Sequence, residues 1–289
     1  MKQFYLVINL VLYSFLLFSQ KNAPITFKTS GTYNAPVFSS ISTASKNWEK
    51  AFKLDLTDQY FEKEQQKLVH LKYIQALQFG NNYLTKLPDE ICELEGLLFL
   101  SSRKNGLTDL PEDIGKLNNL MYLELIDTNL DSLPASFQNL YRLKSLNIQN
   151  NKDTLYLAPF LSKMPSLSEL TVFNTILDTL ADDLFLWESI QKLTLVKCNL
   201  KEMPENIGQL KNLEELILDE NEIRILPSSF VKLKNLKHLS LKNNKITHLN
   251  ENISNLQKLQ SLDLRGNFVD KYDVDILKVL LPRCVILVD

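Results

Sequence analysis

The apolar positions of this chain recur at a fixed interval. Residues 203–227, MPENIGQLKNLEELILDENEIRILP, place leucine or isoleucine at offsets that return in the preceding segment, LADDLFLWESIQKLTLVKCNLKEMP, and in the following one, LPSSFVKLKNLKHLSLKNNKITHLN. Aligned on the residue that opens each unit, the starts fall at Ala51, Ile74, Leu97, Leu120, Leu143, Leu167, Ile190, Leu213, Leu236 and Leu259, with eight intervals of 23 residues and one of 24. Such a period means stacked supersecondary units, because a single unit this small cannot bury its own apolar edge.

Each offset predicts an element. The fourth and sixth positions, as in Leu193 and Leu195, Leu216 and Leu218, or Leu239 and Leu241, alternate with polar residues. A period of two is that of a strand with one buried face. The ninth position is Asn82, Asn105, Asn151, Asn221, Asn244 and Asn267, where a side-chain amide can bond the backbone of neighbouring turns and form a ladder. Gln59, Thr128, Thr175 and Cys198 replace it, and the last three carry fewer hydrogen-bonding groups, so a weaker middle is expected. Leucine and proline follow, as in Leu87-Pro88, Leu110-Pro111, Leu133-Pro134 and Leu226-Pro227, and proline ends the strand side because it has no amide hydrogen to give. Pairs such as Ile207 with Leu210 and Phe230 with Leu233 close each coil from the convex side, and Trp187 falls on such a position as core filler.

The ends and one unit depart from the pattern. The unit at 143–166 is a residue longer, has Asp153 where a leucine belongs and shifts its proline to Pro159, which predicts a local bulge. Residues 51–71 form a degenerate first unit (Leu54, Leu56, Phe61, Leu68, Leu71) whose open face Trp48 is expected to cap. Before it, 26–45 hold nine serines and threonines in twenty positions, the composition of a linker or irregular lead-in. At the other end DKYDVDILKVLLPRC reads as a covering helix and VILVD as a last short strand. The expected division is 1–19, 20–50 as linker and amino-terminal cap, 51–258 as about nine units, and 259–289 as last unit and carboxyl-terminal cap.

Residues 1–19 stand apart. Lys2 precedes an apolar run at 4–18, interrupted by Asn9 and Ser14 and followed by Ser19-Gln20-Lys21. This is the layout of a secretory signal peptide, cut after Ser19 and too short to span a bilayer, so export without a transmembrane span is expected. An uncleaved segment would instead tether the chain to a membrane or leave it in the cytoplasm. The rest of the composition is globular, with 45% hydrophobic and 23% charged residues. Lysine and arginine total 32 against 34 acids, which offers no excess positive charge to nucleic acid. Cys92, Cys198 and Cys284 have neither CxxC pairing nor the spacing of a disulfide framework, so three free or buried thiols are expected.

With LPxxIGxLxxL and the asparagine position in view, the sequence over 51–289 resembles the 23-residue class of leucine-rich repeat proteins. That class occurs in exported bacterial proteins and in intracellular Ras-group scaffolds, and the ending LLPRCVILVD resembles those of bacterial members with signal peptides. The resemblance implies an α/β solenoid, a horseshoe with a parallel sheet on its concave face and irregular or helical turns on its convex face. It also implies use as a holder of other macromolecules. A non-catalytic module of an exported bacterial protein is therefore expected, monomeric, in the periplasm, at the surface or secreted. Its partner would be a protein or peptide, with a glycan as a further candidate. The alternative is a signal-transduction scaffold in the cytoplasm or at a membrane.

No GxSxG, HExxH, P-loop or dinucleotide fingerprint occurs, and no cofactor or metal site is expected. A hydrolase outline is present in Ser240 and His238, two apart on one strand, with Asp219 and Asp263 on the strands beside it, but nothing supplies an oxyanion hole. Coincidence on a polar sheet face accounts for it. The expected binding residues lie elsewhere on the concave face. Ten strands ~4.8 Å apart form a ladder roughly 45 Å long. Its outward positions include Phe99, Tyr122, Ile126, Phe173, Val196 and Ile217, with Lys53, Asp55, Gln78 and Asn81 to one side and Lys242, Lys245 and Arg265 to the other. Exposed apolar groups rimmed by charge mark binding sites. Asp219, Glu220 and Glu222 would add an acidic patch for a basic group on the partner.

Overall fold

A computed structural model describes residues 27, 29–32, 34–60, 63–150, 154–177, 180 and 182–289. Residues 1–19, Phe61, Asn151 and Asp153 lie outside the described residues. The strands are β1 (Val37–Phe38), β2 (Lys53–Asp55), β3 (Ala76–Gly80), β4 (Phe99–Arg103), β5 (Tyr122–Thr128), β6 (Ser145–Asn150), β7 (Glu169–Phe173), β8 (Lys192–Val196), β9 (Glu215–Ile217), β10 (His238–Ser240), β11 (Ser261–Asp263) and β12 (Val285–Leu287). They form one twelve-stranded sheet in sequence order. All pairs are parallel, with residues one repeat apart opposite each other, such as Leu193 with Leu216 and Leu216 with Leu239. The inward leucines are sealed by this stacking: Leu193 is 6% exposed, Leu195 1%, and Leu216, Leu218 and Leu239 0%.

The returns from strand to strand are short 3-10 turns, and the prolines explain where they start. Pro88, Pro134, Pro204 and Pro227 sit at their first caps with φ of −56°, −65°, −68° and −64°, the range the pyrrolidine ring imposes. The glycine of the IG pair meets a different demand. A β-carbon on Gly208 would lie 2.4 Å from the backbone oxygen of Ser229 in the next coil, and one on Gly115 would lie 2.1 Å from that of Ser136. Gly208→Ala is therefore expected to force adjacent coils apart at a cost of about 1–3 kcal/mol. A urea denaturation midpoint equal to that of wild type would show that these coils do not need to touch.

Every regular unit bends into the asparagine position through a residue of left-handed backbone, from Asn81 (φ 53°) and Lys104 (52°) to Glu220 (55°) and Gly266 (71°). The sixth strand is different. Asn150 reaches the preceding coil there: its Nδ2 donates to Leu130 O (2.8 Å) and its Oδ1 accepts from Leu130 N (3.0 Å). Asn150 stands at the offset where Asn81, Lys104 and Glu220 are left-handed, and it is not. Pairing of β5 with β6 shifts by one residue here: Ile126 lies opposite Gln149 but Thr128 opposite Asn150, because Asp127 (φ 57°) makes the regular left-handed bend and β6 does not. The departure at Asn150 falls within 143–166, where a bulge is expected, and Asp153 of that unit lies outside the described residues.

Trp48 does not plug the amino-terminal end. It is 44% exposed and stacks on Tyr73, ring centroids 5.6 Å apart. Ile41 (1% exposed) and Ala44 (0%) of the helix Ile41–Lys46 fill that role. The Ser/Thr-rich stretch is accordingly part of the cap: Ser40 accepts from Thr43 N to start the helix, and β1 joins the sheet beside β2. This extra strand also buries Lys53, expected on the open flank, to 2% exposure. The carboxyl end matches its expectation, with helix Lys271–Leu280 packing Val274 and Leu277 inward and β12 pairing with β11.

Candidate functional site

The inward leucines leave the alternate residues of each strand on the other face of the sheet. Cross-strand register brings Phe173 directly opposite Val196 and places Gln149 between Phe173 and Ile126. Ile217 pairs with Thr194, so it neighbours Val196 diagonally. All four apolar residues are half-buried, and the ammonium of Lys197 lies 5.5 Å from the centre of the Phe173 ring, within cation–π reach. Asn147, Thr171 and Thr194 run alongside as a small polar row.

Tyr122 and Phe99 lie apart from that group. Tyr122 is four residues from Ile126 along β5, about 13 Å at strand rise. Phe99 points to the outward face yet is 1% exposed, because Phe27 of the lead-in covers it edge-on with ring centroids 6.3 Å apart. Phe27 with Ala76, Phe99 and the partly buried Tyr122 forms a small apolar cluster separate from the core. As an accessible contact Phe99 is therefore withdrawn. Sequence reasoning missed Phe27, which belongs to no repeat and carries no periodic signal.

The acids expected to form a patch each have a partner. Glu220 pairs with Lys197 and Glu222 with Lys245, both at 3.1 Å. Such exposed pairs contribute little to stability, yet they leave little net charge for a basic ligand. Asp219 accepts from Ser240 Oγ (2.5 Å) and from Lys242 N (3.0 Å). Burial nonetheless holds its carboxyl above the ordinary 3.8, outweighing those two bonds, and the charge of Asp263 adds to the rise. A raised folded pKa means that the contribution of this group is full below 3.8 and is lost as pH rises through the folded value. Asp219→Asn, which cannot ionise, is thus expected to gain stability relative to wild type between pH 3.5 and 7. Paired urea titrations at those two pH values check the sign, and a difference that shrinks as pH rises would reverse it.

The hydrolase outline is not assembled. Ser240 directs its hydroxyl at the Asp219 carboxylate, and His238 Nδ1 shares its hydrogen bond with Ser261 Oγ (2.9 Å). Desolvation lowers the His238 pKa. Burial pushes the thiols of Cys92 and Cys198 up to about 12 and that of Cys284 to about 11, so none is an activated nucleophile. Concavities of about 440 Å³ occur between successive return turns, one lined by Ile225, Leu226, Pro227, Phe230 and Ile253, away from the strand face.

The ladder, register and turns fix the kinship. The profile of a leucine-rich repeat region matches residues 53–194 and 188–281. The chain belongs to the leucine-rich repeat family. Among solved structures, this member is similar to the leucine-rich repeat domain of the type III effector XopL, with 27% identity over 74% of this chain and 76% of that one and a TM-score of 0.63. An internalin, InlF of Listeria monocytogenes, shares the fold at 17% identity, covering 88% of this chain and 78% of its own, with a TM-score of 0.64. So does the PEPR1–AtPEP1 structure, at 21% identity, 77% of this chain, 32% of that one and a TM-score of 0.61. No curated protein matches the chain. The family's repeats typically bind proteins. No helix among the described residues is long and apolar enough to cross a membrane.

Proposed function

We propose that this leucine-rich repeat protein is a non-catalytic binding module of an exported bacterial protein, which holds a protein or peptide on the outward face of its sheet. The observation that carries the reading is the apolar group Ile126, Phe173 and Val196, with Ile217 nearby, half-exposed beside the polar row Asn147, Thr171 and Thr194. Core packing does not require these side chains, since the inward leucines already fill the coil. The family's repeats typically bind proteins, which supports the class of activity. The apolar run at 4–18 supports export.

Phe173→Asp combined with Val196→Asp tests the site. The pair is expected to abolish capture of the partner from native extract while leaving the urea midpoint close to that of wild type. A partner retained equally by the folded double variant would put the site elsewhere. Mass spectrometry of the mature product tests export: a first residue of Gln20 is expected, and an intact Met1 would favour the cytoplasmic or membrane-tethered scaffold.

A further inference from the structure

The cluster around Phe27 is an aromatic side chain seated on the sheet face by a segment that follows no repeat rule. The ring lies against Phe99, with Ala76 and Tyr122 completing its surroundings, and only 8% of Phe27 remains exposed. Hydrogen bonds among the described residues tie the segment to itself and to the approach to β3. Ser30 Oγ donates to Phe27 O (3.0 Å), and Thr32 gives its backbone amide and its hydroxyl to the single oxygen Gln75 Oε1 (2.6 and 2.8 Å). Gly31 makes the turn possible, having φ 65° and a position where a β-carbon would lie 2.8 Å from the side chain of Gln75. Ala76 supplies the space: in its row the neighbouring strands carry Lys53 and Phe99, and the small side chain lets a ring come down between them.

We propose that Ala76, Phe99 and Tyr122 form a subsite for a phenylalanine side chain delivered by a hydroxyl-rich polypeptide segment, and that Phe27 occupies it in cis until a partner segment of that kind displaces it. The proposal deepens the binding reading and rests on it, because Tyr122 joins the subsite to β5 and so to Ile126 on the same strand. The occupant's chemistry is read from the segment already seated there, an aromatic ring flanked by Thr29, Ser30 and Thr32. Expected cleavage after Ser19 would keep Phe27 in the mature chain as its eighth residue. The ring and the Thr32–Gln75 bonds lie on the outside of the sheet, so the strap can leave without disturbing the interlocked leucines beneath it.

The test uses the full chain and a fluorescein-labelled synthetic peptide of its own residues 24–33, PITFKTSGTY. By fluorescence anisotropy the peptide is expected to bind the Phe27→Ala protein at least tenfold tighter than wild type, whose subsite is filled. Gly31→Ala, which disturbs the strap and leaves the subsite intact, should open it in the same way. The same peptide with alanine at the phenylalanine position should bind at least tenfold more weakly. Equal affinity of wild type and both folded variants, or no binding to either variant, overturns the proposal. Partner capture unaffected by Phe173→Asp with Val196→Asp would instead sink the binding-face reading and leave the peptide result standing.

Discussion

Asn221→Ala is expected to be among the most damaging single changes in this protein, at about 2–6 kcal/mol. Its side-chain oxygen accepts from the amides of Cys198 (2.9 Å) and Leu200 (3.1 Å), and its amide nitrogen donates to Leu195 O (2.7 Å), Leu218 O (2.9 Å) and Asp219 O (3.2 Å). Alanine cannot replace any of these bonds, and each buried amide left without an acceptor costs roughly 1–3 kcal/mol. Water cannot compensate, because Asn221 is 7% exposed and Cys198 is fully buried. Urea denaturation checks the value, with Asn118→Ala at an exposed turn as the control expected to stay within about 0.5 kcal/mol of wild type. Because a solenoid is coupled mainly through nearest neighbours, the variant should also unfold over a broader range of urea, the two flanks separating at the weakened coil. A sharp transition at the wild-type midpoint would mean that the ladder stabilises nothing.

The second large effect comes from two adjacent residues. Leu195 is 1% exposed among inward leucines, while Thr194 beside it lies half-buried on the other face of β8. Leu195→Ala should open a cavity and cost about 2–5 kcal/mol. Thr194→Ala should cost well under ~1 kcal/mol. Their ratio, read from the same denaturation series, measures the alternation of the strand directly. Equal losses would contradict the register seen across β7, β8 and β9.

Much of this was legible in the sequence because a repeat states the same constraint many times. Leu193, Leu216 and Leu239 each vote for one buried offset, and Asn221, Asn244 and Asn267 for one ladder position. The replacements were legible too. Thr175 bonds through a single hydroxyl, to Phe173 O (2.9 Å) and from Asn150 N (3.1 Å), whereas Asn244 donates to three carbonyls and accepts from Ile223 N. Reading stopped where residues speak once. The pattern placed Asn151, which lies outside the described residues, at the ladder position, and it could not show that its neighbour Asn150 bonds Leu130 of the preceding coil. Trp48 looked like a lid by size alone, although Ile41 and Ala44 had the smaller shapes the end required. The outward face was least legible. Its row of apolar residues could be written down, but Phe27 had no offset to betray it, and the pairing of Glu220 with Lys197 required recognising opposite charges 23 residues apart as neighbours.

The one-residue shift at Asp127 and Asn150 is confined to the end of the strands. The inward row runs unbroken past it, from Leu100 through Leu123 and Leu146 to Leu170 and Leu193. A whole unit could therefore be duplicated or removed on either side and every row would close up again, since each strand meets the next at the same offset. The length of the face is free to change by about 4.8 Å at a time, so growth or loss of coils would alter the reach of the protein before it altered what the middle of the face can hold.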